Sequence, residues 1–236
     1  AIGRYAKATN SDAIASGRFA NATATSAIAV GSLSNATATS AIAVGASSNA
    51  SQNQSVAVGF SANASAESSI AIGSCAVASG TSSLSAGKKA SASGQNAVAV
   101  GSIASARLNA TALGSAAKAS STGSTALGYQ TQASGLNSVA AGLSAKATGT
   151  DSSAFGYKAS ATAANSLSLG TSSSAKGVSS QALGDLSTAN GSGSVAIGSQ
   201  SSSGVSRSVE IPQFDEFGQL TDPKTETRAT TNTIAI

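Results

Sequence analysis

The sequence predicts an all-β fold, a parallel β-solenoid of 14-residue coils with two short strands each, and three observations predict it. Glycines that close an apolar tetrad such as Ile28-Ala29-Val30-Gly31 recur at a fixed interval. The residues before them alternate small and bulky with period two, the pattern of a strand whose two faces meet different surroundings. The composition also leaves nothing for a thick core. The 236 residues include 52 Ala, 49 Ser and 25 Gly, with no Trp, Met or His, so the interior must be narrow and lined by small side chains.

The turn glycines are Gly3, Gly17, Gly31, Gly45, Gly59, Gly73, Gly87, Gly101, Gly114, Gly128, Gly142, Gly156, Gly170, Gly184 and Gly198. Thirteen of the fourteen intervals are 14 residues long, and one, Gly101 to Gly114, is 13. Such a register is the mark of stacked repeats. Four and two residues before the glycine stand Ala or Ser, as Ala41 and Ala43 before Gly45. Three and one residues before it stand mostly aliphatics, as Ile42 and Val44. A second alternation follows the glycine, with small residues such as Ala62 and Ala64 and polar ones such as Asn63 and Ser65 between them. Gly, Asn, Ser and Asp fill the remaining corners, which suits turns. Two strands per unit leave about five residues for each strand, and stacking at about 4.8 Å makes a rod roughly 65–70 Å long. The 13-residue unit must shorten a corner, because a one-residue slip would turn the bulky set to the wrong face.

Both strands own a small-residue face, and two such faces can close the inside of the coil. The bulky face of the first strand (Ile28, Val30, Ile42, Val44, Val56, Val58, Ile70, Ile72, Val98 and Val100) is then left outside. An apolar stripe of that length exceeds what a soluble monomer leaves uncovered, so association about the rod axis is expected. A competing picture puts the aliphatics inside each coil and the Ala/Ser faces outside. Later units depart from the pattern. Thr111, Thr125, Ser153 and Gln181 replace the first aliphatic, while Ser16, Ala86 and Ala141 thin the second. Gln181 suits either hydrogen bonding to its own copies or a solvated position.

After Gly198 the next glycine does not arrive on schedule. Residues 1–204 read as the repeat array, 205–231 as a non-repeat insertion with a β-hairpin or a loop, and 232–236 as the start of a further repeat. The insertion holds both prolines, Pro212 and Pro223, and five of the nine acids. Val209-Glu210-Ile211 and Gly218-Gln219-Leu220 are candidate strands around a turn at Asp215-Glu216, with Phe214 and Phe217 packing on the rod. Both ends fall inside a unit, so the chain reads as part of a longer array.

The recurring Ala-Ile-Ala-Val-Gly and Ser-Val-Ala-Ile-Gly runs, with Ala five residues after the glycine, resemble the head repeat of the trimeric autotransporter adhesins, the YadA-like heads. The resemblance spans the array and resumes at its end. It implies a left-handed parallel β-roll assembled as a parallel homotrimer, so that each chain's partners are two identical chains. The aliphatic set above, with Leu113, Leu127, Leu169 and Ile197, then forms the trimer core. It also implies a head held at the bacterial cell surface, exported across the outer membrane as the passenger of a longer virulence protein. Its partner would be a host extracellular-matrix protein or a cell-surface receptor.

The residues themselves argue against other classes. Without histidine the chain lacks the commonest general base and metal ligand, so it is not expected to be an enzyme or to hold a metal or cofactor. Ser-x-x-Lys occurs at Ser85–Lys88, Ser115–Lys118 and Ser173–Lys176, at a rate this serine content explains. A formal charge of +4 without a basic run does not suit nucleic acid. No 18-residue apolar span appears, so direct membrane insertion by these residues is not expected. The outward cations Lys7, Arg107, Lys118, Lys146, Lys158 and Lys176 either face acidic ligands or keep an alanine-rich rod soluble. Asn21, Asn35, Asn49 and Asn63 read as a surface asparagine ladder. Cys75 reads as a small corner filler or an inter-chain cross-link. Tyr5, Phe19, Phe60, Tyr129 and Tyr157, near the corners, suggest inter-chain packing. Alternatives to adhesion are a non-adhesive spacer in a surface fibre, or an ice-binding solenoid carried by Thr23, Thr25, Thr37 and Thr39.

Overall fold

The computed structural model describes residues 1–204 in full and the backbone of three later strands, Arg207–Phe214, Leu220–Arg228 and Ile234–Ala235. Residues 1–204 wind as a parallel solenoid. One 15-stranded sheet stacks the three-residue strands before each glycine, such as Ile28–Val30, Ile42–Val44 and Val56–Val58. A second 15-stranded sheet stacks the two-residue strands after it, such as Asn35–Ala36 and Asn49–Ala50. Each residue sits over its repeat equivalent, Ile42 beside Val56 and Val44 beside Val58. The Ile42 amide donates to the Ser55 carbonyl at 2.9 Å, and the Gly59 amide donates to the Val44 carbonyl at 2.8 Å. The ladder that a lone coil cannot close is thus closed by its neighbours.

The strands have three and two residues, shorter than the five expected, because the corners take up more of each unit. The residue two positions after the glycine is left-handed, as Leu33 at φ 60°, and so is the residue nine positions after it, as Ser40 at φ 55°. Among the described residues 27 non-glycines adopt this conformation, which is sterically disfavoured for L side chains. Stacking compensates. The Leu33 amide donates to the Arg18 carbonyl at 2.9 Å and the Ser40 amide to the Thr25 carbonyl at 3.0 Å, so the corners carry their own inter-coil ladders. The turn glycine answers a second constraint. At Gly45, φ is +127° and an added Cβ would lie 2.5 Å from the carbonyl oxygen of Gly59 in the next coil.

Every fully buried apolar residue among the described ones is alanine, and the largest fully buried side chain is Thr131. The aliphatics are therefore outside the coil, which overturns the competing picture. Serine replaces alanine mainly where its hydroxyl can return to a corner carbonyl. Ser55 donates to the Gln52 carbonyl at 2.6 Å, Ser138 to that of Gly135 at 2.7 Å, and Ser48 to that of Gly45 at 2.9 Å. At mid-strand such a carbonyl is out of reach. Ser168 instead pairs with the Ser173 hydroxyl at 2.6 Å, whereas the buried Ser85 hydroxyl has no partner.

The 13-residue coil keeps its phase, with Val98 beside Thr111 and Val100 beside Leu113. The lost residue comes from the corner. The turn closes from the Ala110 amide to the Arg107 carbonyl at 3.0 Å, where the preceding coil closes from Ala97 to Gly94 at 3.1 Å. Beyond Gly204, Arg207–Phe214 pairs antiparallel with Leu220–Arg228, with a register shift between Ile211 and Gln213. Both prolines fall at that irregularity, where a missing amide costs least. The second strand begins at Leu220 and runs on to Arg228, rather than occupying 218–220 as expected. The proline was no barrier to it because it falls at the shift. Ile234–Ala235 then rejoins the first sheet beside Val195–Ile197. The expected turn at Asp215-Glu216, Gly218-Gln219, the side chains of Phe214 and Phe217, and Asn232, Thr233 and Ile236 lie outside the described residues.

Two substitutions test this account. Ser85→Ala removes an unpartnered buried hydroxyl and is expected to raise stability by about 1 kcal/mol, read as a higher melting temperature. Ser168→Ala, which gives up a hydrogen bond, should bring no such gain. Gly45→Ala combines a disfavoured φ with a backbone overlap and is expected to cost ~3 kcal/mol or more, read by chemical denaturation.

Candidate functional site

Among the described residues the interior is filled by alanine and serine, and the side chains open to contact lie on the outside of the rod. Three surfaces are available. The first is the aliphatic stripe. In each three-residue strand the central residue is buried and its two flanking side chains point out, so Ile42, Val44, Val56, Val58, Val98, Val100, Ile28 and Leu113 are half-buried, and Val30 and Ile70 are exposed. Ile72, Leu127, Leu169 and Ile197 are 42–50% exposed. These residues line up coil over coil by register. Gln181 lies in the same column and is exposed.

The second surface is the outer side of the two-residue strands. Asn21 donates its side-chain amide to Asn35 at 2.8 Å, Asn35 to Asn49 at 2.9 Å, and Asn49 to Asn63 at 2.9 Å. The asparagine ladder is therefore real, and it stops where Val77 brings no amide. Lys7, Lys118 and Lys146 occupy this same column in other coils. Arg107 and Lys176 stand two residues further along their coils, and Lys158 sits at a corner, where its ammonium lies 5.0 Å from the centre of the Tyr157 ring. All six cations are exposed, but they fall in three different columns and do not converge on one point.

The third surface is the glycine corner. Tyr5 and Phe19 stack there at 4.9 Å and 17°, with the Arg4 and Arg18 guanidinium groups over their respective rings at 4.9 and 5.5 Å. Phe60, Tyr129 and Tyr157 are likewise exposed at corners. Leu33, Ile103, Leu186 and the half-buried Cys75 hold the left-handed position of this corner. Composition gave no sign of that, because Leu, Ile, Lys, Gln and Ser all share the position and the stack of coils imposes its conformation.

The alternative threonine array and two of the three Ser-x-x-Lys runs, already set aside on composition, have no working geometry. Thr25 and Thr39 lie in the corner beyond the two-residue strands Asn21–Ala22 and Asn35–Ala36, so the four threonines do not form a flat strand array. Ser85 and Ser173 are buried inside the coil, whereas Lys88 and Lys176 are exposed outside it. A feature that sequence reasoning did not locate is a groove at the shortened corner, lined by residues around Arg107 and Leu108. The odd 13-residue interval was its only trace in the sequence.

Comparison with known proteins places the array. The family model "YadA head domain repeat" matches residues 8–34, 22–48, 36–62, 50–74, 78–102, 108–131, 119–145, 133–159, 147–173 and 175–201. No matched segment includes residues 103–107, which lie in the 13-residue coil. Among solved structures the chain is similar to the collagen-binding domain of the Yersinia adhesin YadA, at 26% identity and a TM-score of 0.34. That match covers 59% of this chain and 63% of the Yersinia one, less than two thirds of its length. No curated protein matches the chain.

Proposed function

The chain belongs to the YadA head-repeat family, and on that premise we propose that it is the head of a bacterial surface adhesin that works as a homotrimer. The family is one of adhesins, not of enzymes. The observation that carries the reading is the aliphatic stripe on the outside of a coil too thin to take it in. Burying the part of each side chain that the single chain leaves exposed is worth roughly 1 kcal/mol against sister chains, and the stripe repeats along nearly every coil. Three chains in a left-handed roll, with their stripes toward a common axis, leave the asparagine and lysine columns for contact with other molecules. Contacts that are weak singly then gain from being made in parallel copies.

The partner in this reading is a host matrix protein or cell-surface receptor, met by a head exported to the cell surface as a passenger domain. The Yersinia structure is titled a collagen-binding domain, which makes triple-helical collagen the first matrix protein to try. Residues 1–204 are the head array in this reading, and 205–231 interrupt it before the next repeat.

Sedimentation of the purified chain should give about three times the 22.3 kDa chain mass. Val58→Asp places a carboxylate in the stripe and is expected to lower that mass toward one chain. A trimeric Val58→Asp variant would show that the stripe is not the interface. A trimer that binds neither matrix proteins nor host cells would favour the spacer reading.

A further inference from the structure

We infer that the shortened corner of the 13-residue coil is a binding site for an anionic saccharide unit, one sugar ring or two bearing a carboxylate or a sulfate. The inference deepens the adhesin reading and takes its biological use from it, but the binding itself is a property of this corner. In the coils on either side, the turn starts from a residue that the short coil lacks. The Ala97 amide donates to the Gly94 carbonyl at 3.1 Å and the Ser124 amide to the Ser121 carbonyl at 3.2 Å, whereas between them the Ala110 amide reaches back to Arg107 itself at 3.0 Å. One position is therefore missing from an otherwise continuous edge. Gly94 abuts the backbone of Arg107 and Leu108 just as Gly80 abuts Gly94 and Gly135 abuts Gly149, so the short coil stacks as closely as the full ones. What remains is an open groove of about 360 Å³ crossing three coils, the size of a small-ligand site.

Its chemistry is that of a sugar site. Arg107 offers a planar fork of donors suited to a carboxylate or sulfate. Ser120 and Thr122 bring hydroxyls that can donate to or accept from ring hydroxyls, and Ser93, whose hydroxyl donates to the Ala106 carbonyl at 3.4 Å, can accept. Leu108, 42% exposed beside them, gives an apolar face for the C–H side of a ring. The field has one sign. Residues 68–150 contain Lys88, Lys89, Arg107, Lys118 and Lys146 and no Asp or Glu, and no ion pair forms among the described residues. Lys118 pairs in register with Ser105, two residues before Arg107, so the two cations are diagonal neighbours on one face. Lys176 stands at the position equivalent to Arg107, but its coil keeps the full corner through Gly177. The cation recurs and the shortened corner does not. An acidic peptide would also answer the charge, but the hydroxyl lining and the apolar face of Leu108 favour a sugar.

The test is calorimetric titration of the assembled head with three probes: a sulfated uronate disaccharide, its desulfated form and a neutral disaccharide. Wild type should bind the sulfated probe at least tenfold more tightly than the neutral one. Retention by the desulfated form identifies the carboxylate as the recognised group, and loss identifies the sulfate. Arg107→Gln should weaken binding tenfold or more. A glycine inserted between Arg107 and Leu108 restores the 14-residue coil, fills the groove and should do the same. Lys89→Gln, which removes equal charge at the other corner, should leave binding within twofold. The inference fails if the wild type prefers no charged probe, if both groove variants bind normally, or if an acidic peptide competes as well as the disaccharide. Should the insertion variant not fold, Arg107→Gln decides alone. Matrix and cell binding by the same proteins tests the adhesin reading separately, and its absence in wild type would overturn that reading and leave the disaccharide result standing.

Discussion

The spacing between the two sheets is set by side chains that end at Cβ or one atom beyond it. Alanine meets alanine across the coil, and among the described residues nothing larger than Thr131 is fully buried between the sheets. From that narrow gap the rest follows. Aliphatic residues cannot enter it, so they form a stripe outside. A hydroxyl enters most often where a corner carbonyl can receive it, so serine concentrates at the corners, although Ser83, Ser180 and Ser194 there, like Ser85 at mid-strand, have no partner. The side chains open to contact are therefore those on the outside of the coil.

A thin coil also cannot stabilise itself. It has few apolar contacts of its own and two corners bent into left-handed conformations that cost energy residue by residue. Stability comes from repetition. Left-handed corner amides such as those of Leu33 and Ser40 find carbonyls in the adjoining coil, and each turn glycine from Gly3 to Gly184 sits against the glycine of the next turn. The same stacking explains why Leu33, Ile103 and Leu186 tolerate a backbone that such residues avoid elsewhere. It also explains why a whole residue can be lost at Arg107–Leu108 without disturbing the strands. The ladders on both faces hold the register, and the deletion is absorbed where side chains face solvent.

Surfaces built this way are columns. A residue type repeated at one position of the coil becomes a line along the rod, as with the asparagines joined amide to amide. Interruptions of a column are therefore more informative than its continuation. Val77 ends the amide ladder, Gln181 enters the aliphatic stripe, and the missing corner residue opens the single-sign groove. On a regular rod, specificity has to come from such breaks, because the regular part presents the same chemistry at every level.

Much of this was legible in the chain itself. The glycine register and the small–bulky alternation determine a parallel stack of two-strand coils, and the alanine and serine content determines which faces turn inward, because only those side chains fit. The asparagine ladder could be read from the same period. Tertiary structure alone decided the lengths of the strands and the left-handed corners, because those arise from hydrogen bonds between coils that no single unit encodes. It also decided that Thr25 and Thr39 leave the flat face, that Ser85 and Lys88 lie on opposite sides of the wall, and that the lost residue leaves a groove. A 13-residue interval announces a deletion, but only the packing of three successive corners determines whether the gap closes or stays open.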